Sequence, residues 1–414
     1  MIRTSVTGDR QMTDNKEQIE KTENKENIEN TAQIELNHAE TDAEQTPEME
    51  LSEPKRTVPE TKEERAEHKE KRRKKWFWAR LVGFICIALV VLTYFVYALT
   101  PKYPYGICGI FNYYSVPRGT VDVLAIGTSL SYTDLNTNIL WDEYGIACYD
   151  LGSAEQPFWS TYYYLVEALK IERPKLVLLD IKAITYLEDK VDRTRTVLCS
   201  FGILNPISRL KCIYECVEPE EFLSYALAYP QIHTNYMRTK WSDFVIPPSN
   251  GGRGPTWKGY IEKDETADHT EPSINFKFAT PKYINEHEAE YYEKILQLCV
   301  EEEIPLLLVG FPNADYKHDH LYYCWATQLG EEYGIPCINY NLPENRPDIN
   351  YHTDCADWQH LNIGGSVKFT RAIGKDLKEM YDLEDHRGDP AYASYDECAE
   401  LWFAKYPQYR NKTY

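Results

Sequence analysis

The stretch LVGFICIALVVLTYFVYAL, Leu81–Leu99, runs for nineteen residues without a charge. As a helix it would rise about 28 Å, close to the ~30 Å hydrocarbon core of a bilayer. All its faces are apolar, which predicts a membrane span rather than one face of a soluble core. The preceding KRRKKWFWAR, Lys71–Arg80, is strongly basic, and Pro101 follows the span. Positive flanks stay in the cytoplasm, so the N-terminus is expected inside and the chain after about residue 100 outside. Trp76, Trp78, Tyr94 and Tyr97 are placed to meet the two interfaces. A long polar region precedes the span and no clear small-residue cleavage site follows it. Both features favour an uncleaved, single-pass anchor in the cell membrane over a secretory signal.

Residues 1–70 read as a disordered cytoplasmic tail. The segment QIEKTENKENIENTAQIELNHAETDAEQ is almost free of aromatics and cannot bury enough apolar surface to offset chain entropy. Residues 71–100 form the basic flank and transmembrane helix. The formal net charge of −20 argues against a general nucleic-acid partner. The chain has eleven cysteines and no CxxC pair, which argues against a zinc ribbon. Cysteine pairing is left open.

Beyond the span, strand-length apolar runs alternate with helical patterns. VDVLAIG (121–127), IACYDLG (146–152), KLVLLDI (175–181), IPLLLVGFPN and IPCINYN read as five strands. FWSTYYYLVEALKIE, INEHEAEYYEKILQLCVEEE, DHLYYCWATQLGEEYG and NIGGSVKFTRAIGKDLKEMYDL read as helices between and after them. This alternation predicts an α/β domain over 115–385, with a mostly parallel five-stranded sheet covered by helices on both faces. Between about 188 and 280 the alternation stops, which suggests an inserted cap or a purely structural excursion. The glycine run GGRG lacks a following GK[ST], so it does not read as a phosphate loop. The tail 386–414 has no assignment.

In such a sheet the working site lies past the C-terminal strand ends. That rule brings together Gly127-Thr128-Ser129, Gly152-Ser153, Asp180–Ala183, Phe311–Asn313 and the turn DWQH, Asp357–His360. Ser129, on a sharp turn among small residues, is the candidate nucleophile. His360 is its general base, and Asp357 orients the imidazole and stabilises its cation. The backbone N–H groups of Ser129, Leu130 or Gly152 are candidate oxyanion donors.

These residues resemble the SGNH/GDSL hydrolase superfamily. The matches are AIGTSLS (Ala125–Ser131) in the place of the Gly-Asp-Ser block, Gly152 in YDLGS, and the Asp-x-x-His of DWQH. The wider layout is similar to membrane-anchored bacterial relatives that acylate or deacylate cell-surface polymers, one of which takes part in D-alanine transfer to teichoic acids. The resemblance covers roughly residues 120–380. It implies a three-layer α/β/α sandwich of flavodoxin-like type. It also implies an extracytoplasmic serine esterase or O-acyltransferase that uses no cofactor or metal. The implied partners are a cell-surface glycan or teichoic acid and, for transfer, a multi-span membrane protein.

The chain departs from the family pattern in two places. Thr128 stands where the family has Asp, and the third block reads DIKAITY, without its oxyanion Asn. Ser153 and Asn313 are candidate substitutes, although neither matches by position. Loss of one such donor costs about 10²–10³ in rate. A catalytically weak or inactive accessory protein of a polymer-modification complex is therefore the alternative. Asn362 is read as a helix cap or an outer support for His360. His318-x-His320 is read as a polar loop rather than a metal site. His233, Arg238, Lys240 and Trp241 of the inserted segment could line the mouth of the site, with cationic and aromatic groups reaching a polymer or carboxylate.

Overall fold

A computed structural model describes residues 61–237, Thr239, Trp241, 257–272 and 281–410. The expected disordered tail falls largely on residues 1–60, outside the described residues. The GGRG run, Arg238 and Lys240 also lie outside them. The chain divides into two units, Met1–Val82 and Gly83–Tyr414.

The first helix, α1, spans Lys62–Leu99 and is long and apolar enough to cross a membrane. It begins at Lys62 rather than near Lys71, where the tail was expected to end. The cause is local. The Glu64 N–H donates to Thr61 Oγ1 at 3.2 Å, and the Thr61 N–H donates to Glu64 Oε2 at 2.8 Å. This reciprocal capping box starts the helix in a polar sequence. Glu67–Lys71 and Glu70–Lys74 pairs, four residues apart, support its first turns. In the second unit Ala98 and Leu99 are buried, and Asn235 Nδ2 donates to Leu99 O at 3.1 Å. Helix α2, Ile107–Tyr113, follows and buries Ile107, Ile110 and Tyr113.

The five expected strands form one all-parallel sheet. They are β1 Val123–Ile126, β2 Cys148–Asp150, β3 Leu176–Asp180, β4 Leu306–Gly310 and β5 Cys337–Asn339, in the order β2-β1-β3-β4-β5. Between β1 and β2 lie α3, Ser129–Asp134, and α4, Thr137–Tyr144. Helix α5, Phe158–Ile171, links β2 to β3. After β3 come α6, Arg193–Ser200, α7, Pro206–Cys216, and two short helices, α8 (Phe222–Ala226) and α9 (Tyr229–Ile232). Helix α10, Glu286–Glu301, precedes β4, and α11, Tyr316–Glu332, joins β4 to β5. Helices α12, Ile363–Met380, and α13, Ala393–Lys405, close the chain.

The central strands are buried along their whole length, so their side chains alternate between two cores. Leu124, Ile126, Val177 and Leu179 join Trp159 and Leu165 of α5 and Ile295 of α10 on one face. Val123, Ala125, Leu176 and Leu178 join Leu140 of α4 and Phe369, Ile373 and Leu377 of α12 on the other. Cys199, Cys212, Ile213 and Cys216 of α6 and α7 belong to the first core. Part of the segment expected as a cap is therefore structural. All eleven cysteines carry free thiols. The unassigned C-terminal segment packs as α13, whose Tyr395, Trp402 and Phe403 meet Ile139 and Trp141 of α4 together with Trp257 and Tyr260.

Strand β1 has β2 on one side and β3 on the other. The connections leaving β1 toward β2 and leaving β3 toward β4 therefore part at the C-terminal ends of these two strands, which opens a crevice there. The loop before α12 returns to this edge. Cys355 pairs antiparallel with both Leu361 and Ala267 and ties that loop to the segment 257–272.

Candidate active site

The turn after β1 is braced from below. A Cβ on Gly127 would lie 2.4 Å from the Asp180 Cβ, so only glycine lets β1 and β3 approach this closely. Asp180 Oδ2 accepts the Thr128 N–H at 3.0 Å and the Thr128 hydroxyl at 2.5 Å, and Asp180 Oδ1 accepts the Lys182 N–H at 2.9 Å. Thr128 is the N-cap of α3, its Oγ1 accepting from the Leu130 N–H at 3.3 Å. Ser129 is thereby presented as the first residue of the helix. It is the only residue from Val121 to Leu130 that is not buried.

The turn before α12 supplies the base. Asp357 Oδ1 accepts the N–H groups of Gln359 and His360, each at 2.9 Å. His360 Nδ1 lies 2.8 Å and 2.9 Å from the two Asp357 oxygens, and His360 Nε2 lies 2.7 Å from Ser129 Oγ. Burial would raise the Asp357 carboxyl. The hydrogen bonds from His360 and Lys263, the His360 charge and the Gln359 N–H outweigh it and hold the group well below the usual carboxylate range. An ionised Asp357 accepts from Nδ1–H, which leaves Nε2 bare toward the serine hydroxyl. The next residue is anchored to α3, where Asp134 Oδ1 accepts the Leu361 N–H at 3.0 Å. Burial pushes the Asp134 carboxyl well above its ordinary range, against its hydrogen bonds from Thr133 and Leu361. Asp134 thus anchors, from the buried side, the turn that carries the ionised Asp357.

The other expected site residues have different surroundings. Gly152 sits where a Cβ would come 2.4 Å from Ser131 Oγ and 2.9 Å from Thr128 O, so glycine is required by close approach. Its N–H donates to Asp150 Oδ1 at 2.6 Å rather than toward Ser129. Burial pushes the Asp150 carboxyl up to about 8, against the hydrogen bonds from Gly152 and Ser131. The Ser153 N–H donates to Gly127 O at 3.1 Å, and its hydroxyl faces Cys199 Sγ at 3.7 Å in the core. Leu130 N–H is held by the Thr128 cap. Asn313 is buried, its N–H donates to Asn341 Oδ1 at 2.9 Å, and its side chain has no hydrogen-bond partner among the described residues. Asn362 caps α12, with Oδ1 accepting the Gly365 N–H at 3.1 Å and Nδ2 donating to Thr353 O at 2.7 Å. It makes no hydrogen bond to the Ser–His–Asp group among the described residues. The Ser129 N–H, by contrast, has no hydrogen-bond partner among the described residues and faces no cap.

Two participants, Lys263 and Asp134, escape the sequence patterns. Lys263 Nζ lies 2.9 Å from Asp357 Oδ2 and 3.0 Å from His360 Nδ1. Asp134 and Asp180 are the buried carboxyls that hold the His360 and Ser129 turns. Asp180 was visible as the residue occupying the block that lacks Asn. Lys263 lies in a segment with no periodicity and carries no such signal. Elsewhere, His318 pairs with Asp315 at 2.7 Å and His320 faces Tyr316 Oη at 3.0 Å. Among the described residues no group of three or more His, Cys, Asp or Glu side chains is arranged to hold a metal ion.

No protein-family model matches this chain, and no curated protein matches it.

Proposed function

We propose that this chain is a membrane-tethered serine esterase or O-acyltransferase of SGNH type. It acts outside the cytoplasm on acyl esters, acetyl or D-alanyl, of a cell-surface polysaccharide or teichoic acid. The observation that carries the reading is the 2.7 Å approach of His360 Nε2 to Ser129 Oγ, with Asp357 on the other ring nitrogen. The burial of both sheet faces supports the three-layer α/β/α arrangement of that superfamily. The basic flank Lys71–Arg80 supports a cytoplasmic N-terminus.

In this mechanism Ser129 Oγ attacks the ester carbonyl carbon while its proton passes to His360 Nε2. The oxyanion meets the Ser129 N–H. The imidazolium then protonates the departing alkoxide oxygen, and an acyl-serine remains. Water or a sugar hydroxyl attacks that ester, gives its proton to His360, and takes the acyl group as the serine reforms. Tethering keeps the catalyst close to its polymer. Transfer would draw on an acyl donor delivered by a multi-span partner.

A second reading, a catalytically weak accessory protein of an envelope-polymer modification complex, is favoured by one specific feature. The Gly152, Ser153 and Leu130 N–H groups are engaged within the fold, which leaves the Ser129 N–H as the one expected oxyanion donor without a partner among the described residues. Labelling of the full-length chain with a serine-directed fluorophosphonate separates the two. Labelling that disappears in Ser129→Ala supports the enzyme, and an unlabelled folded chain supports the accessory role.

A further inference from the structure

Asp357 is unusual for an orienting carboxylate in its exposure. Its side chain is 38% exposed, against 14% for the His360 ring it serves. A carboxylate so open to water can rotate about its terminal torsion unless both oxygens are held. Oδ1 is held by the N–H groups of its own turn, Gln359 and His360. Apart from the imidazole, Oδ2 is held only by Lys263 among the described residues, at 2.9 Å.

The backbone that carries Lys263 is fixed on both sides. The Ile261 N–H donates to Tyr132 O at 2.7 Å, which ties the segment to the nucleophile helix α3. Lys263 O accepts the Ile363 N–H at 3.0 Å, which ties it to the first turn of α12. The Ala267 N–H adds a third bond, to Cys355 O at 2.9 Å. The ammonium is therefore delivered from a separate piece of chain that is pinned to both helices bearing the site.

We propose that Lys263 is a positioning residue of this site, setting the orientation of Asp357 and, through it, the tautomer of His360. The proposal rests on the serine-enzyme reading for its catalytic consequence but not for its structural one. An ammonium has three donors and no acceptor, so it cannot take the Nδ1 proton. It converges with Nδ1–H on one carboxylate and keeps that carboxylate ionised and in reach of the ring. Without it, Oδ2 is released to water, Oδ1 alone accepts from Nδ1 at 2.8 Å, and part of the population moves its proton to Nε2. The Nε2–H form that results donates to Ser129 and cannot accept its proton.

The test uses the full-length chain in detergent micelles, as wild type, Lys263→Met and Lys263→Arg. Methionine keeps much of the apolar stem and loses the donors, whereas arginine keeps donors and charge. The ¹⁵N imidazole signals of His360 are assigned by their loss in His360→Gln. The expected spectrum is a single Nδ1-protonated tautomer in wild type and Lys263→Arg, and a mixture in Lys263→Met at an unchanged melting temperature. Fluorophosphonate labelling is expected to slow about tenfold in Lys263→Met through the maximal rate, not the half-saturating concentration, and to recover in Lys263→Arg. A Lys263→Met spectrum identical to wild type, or labelling as fast as wild type, overturns the proposal. A wild type that never labels but whose tautomer shifts in Lys263→Met refutes the serine-enzyme reading and supports the positioning role.

Discussion

His360 Nε2 lies 2.7 Å from Ser129 Oγ, although 231 positions separate them in the chain. One residue opens the helix after the first strand, and the other closes the turn before α12. Each turn is braced by a buried carboxyl, Asp180 under Ser129 and Asp134 under Leu361. The pair is consequently set by two independent supports, and each can be disturbed separately.

Removing the reacting groups is expected to abolish turnover. Ser129→Ala and His360→Gln should each reduce hydrolysis of a chromogenic acetyl ester by at least about 10³. Asp357→Asn should cost on the order of 10³–10⁴, because an amide stabilises the wrong tautomer. The triple variant should be no worse than Ser129→Ala, since residues acting as a unit are not additive. Initial rates at saturating ester measure this, and additive losses would show that the three groups act independently.

The brace under the nucleophile should appear in stability and activity together. Thr128→Val removes the hydroxyl that Asp180 accepts and leaves a buried oxygen short of a partner. The expected cost is about 1–3 kcal/mol in urea unfolding, with slower fluorophosphonate labelling. Gly127→Ala places a Cβ against Asp180 and should cost a comparable amount. Wild-type stability in either variant would mean that the turn is not braced through Asp180.

The buried Asp150 carboxyl ties stability to pH. Its folded pKa is pushed up to about 8, whereas an unfolded aspartate titrates near ~3.9. Between those values the folded protein keeps a proton that the unfolded chain has released. Its contribution is therefore fully present below about pH 4 and is lost as pH rises toward 8. Asp150→Asn can still accept from Gly152 and Ser131 without ionising. It should match wild type near pH 4 and exceed it at pH 8 by at least about 1 kcal/mol in urea unfolding. Parallel curves across that range would show that Asp150 is ionised in the fold.

The basic charge ahead of the apolar run of α1 predicts on which side of a membrane the site would lie. Protease added to intact cells should destroy an epitope placed after Arg410 and spare one placed before Lys62. Replacing Lys71, Arg72, Arg73, Lys74 and Lys75 with glutamine should weaken that bias. Protection of the C-terminal epitope would place the Ser–His–Asp group in the cytoplasm and reject an extracytoplasmic substrate.

Much of this was legible in the linear chain. The apolar run Leu81–Leu99, the five strand-length segments and the DWQH turn are local patterns, and local physics reads them. The helix start at Lys62 was also local. Its Thr61–Glu64 capping box lay in a stretch whose low hydrophobicity dominated the reading. The C-terminal helix was missed because its anchors, Tyr395, Trp402 and Phe403, have no meaning without α4 beneath them.

The sequence by itself determined the five strands, their parallel sheet and that Ser129, Asp357 and His360 would reach its C-terminal edge, because strand periodicity and connection length act over a few residues. Only the tertiary structure decided which of those residues meet. It turned the Gly152 and Ser153 N–H groups inward, tied the Asn313 backbone to Asn341, and brought Lys263 to Asp357. Hydrogen-bond direction depends on how separate segments pack, and a single ångström or a rotated peptide decides it. No spacing along the chain records that geometry.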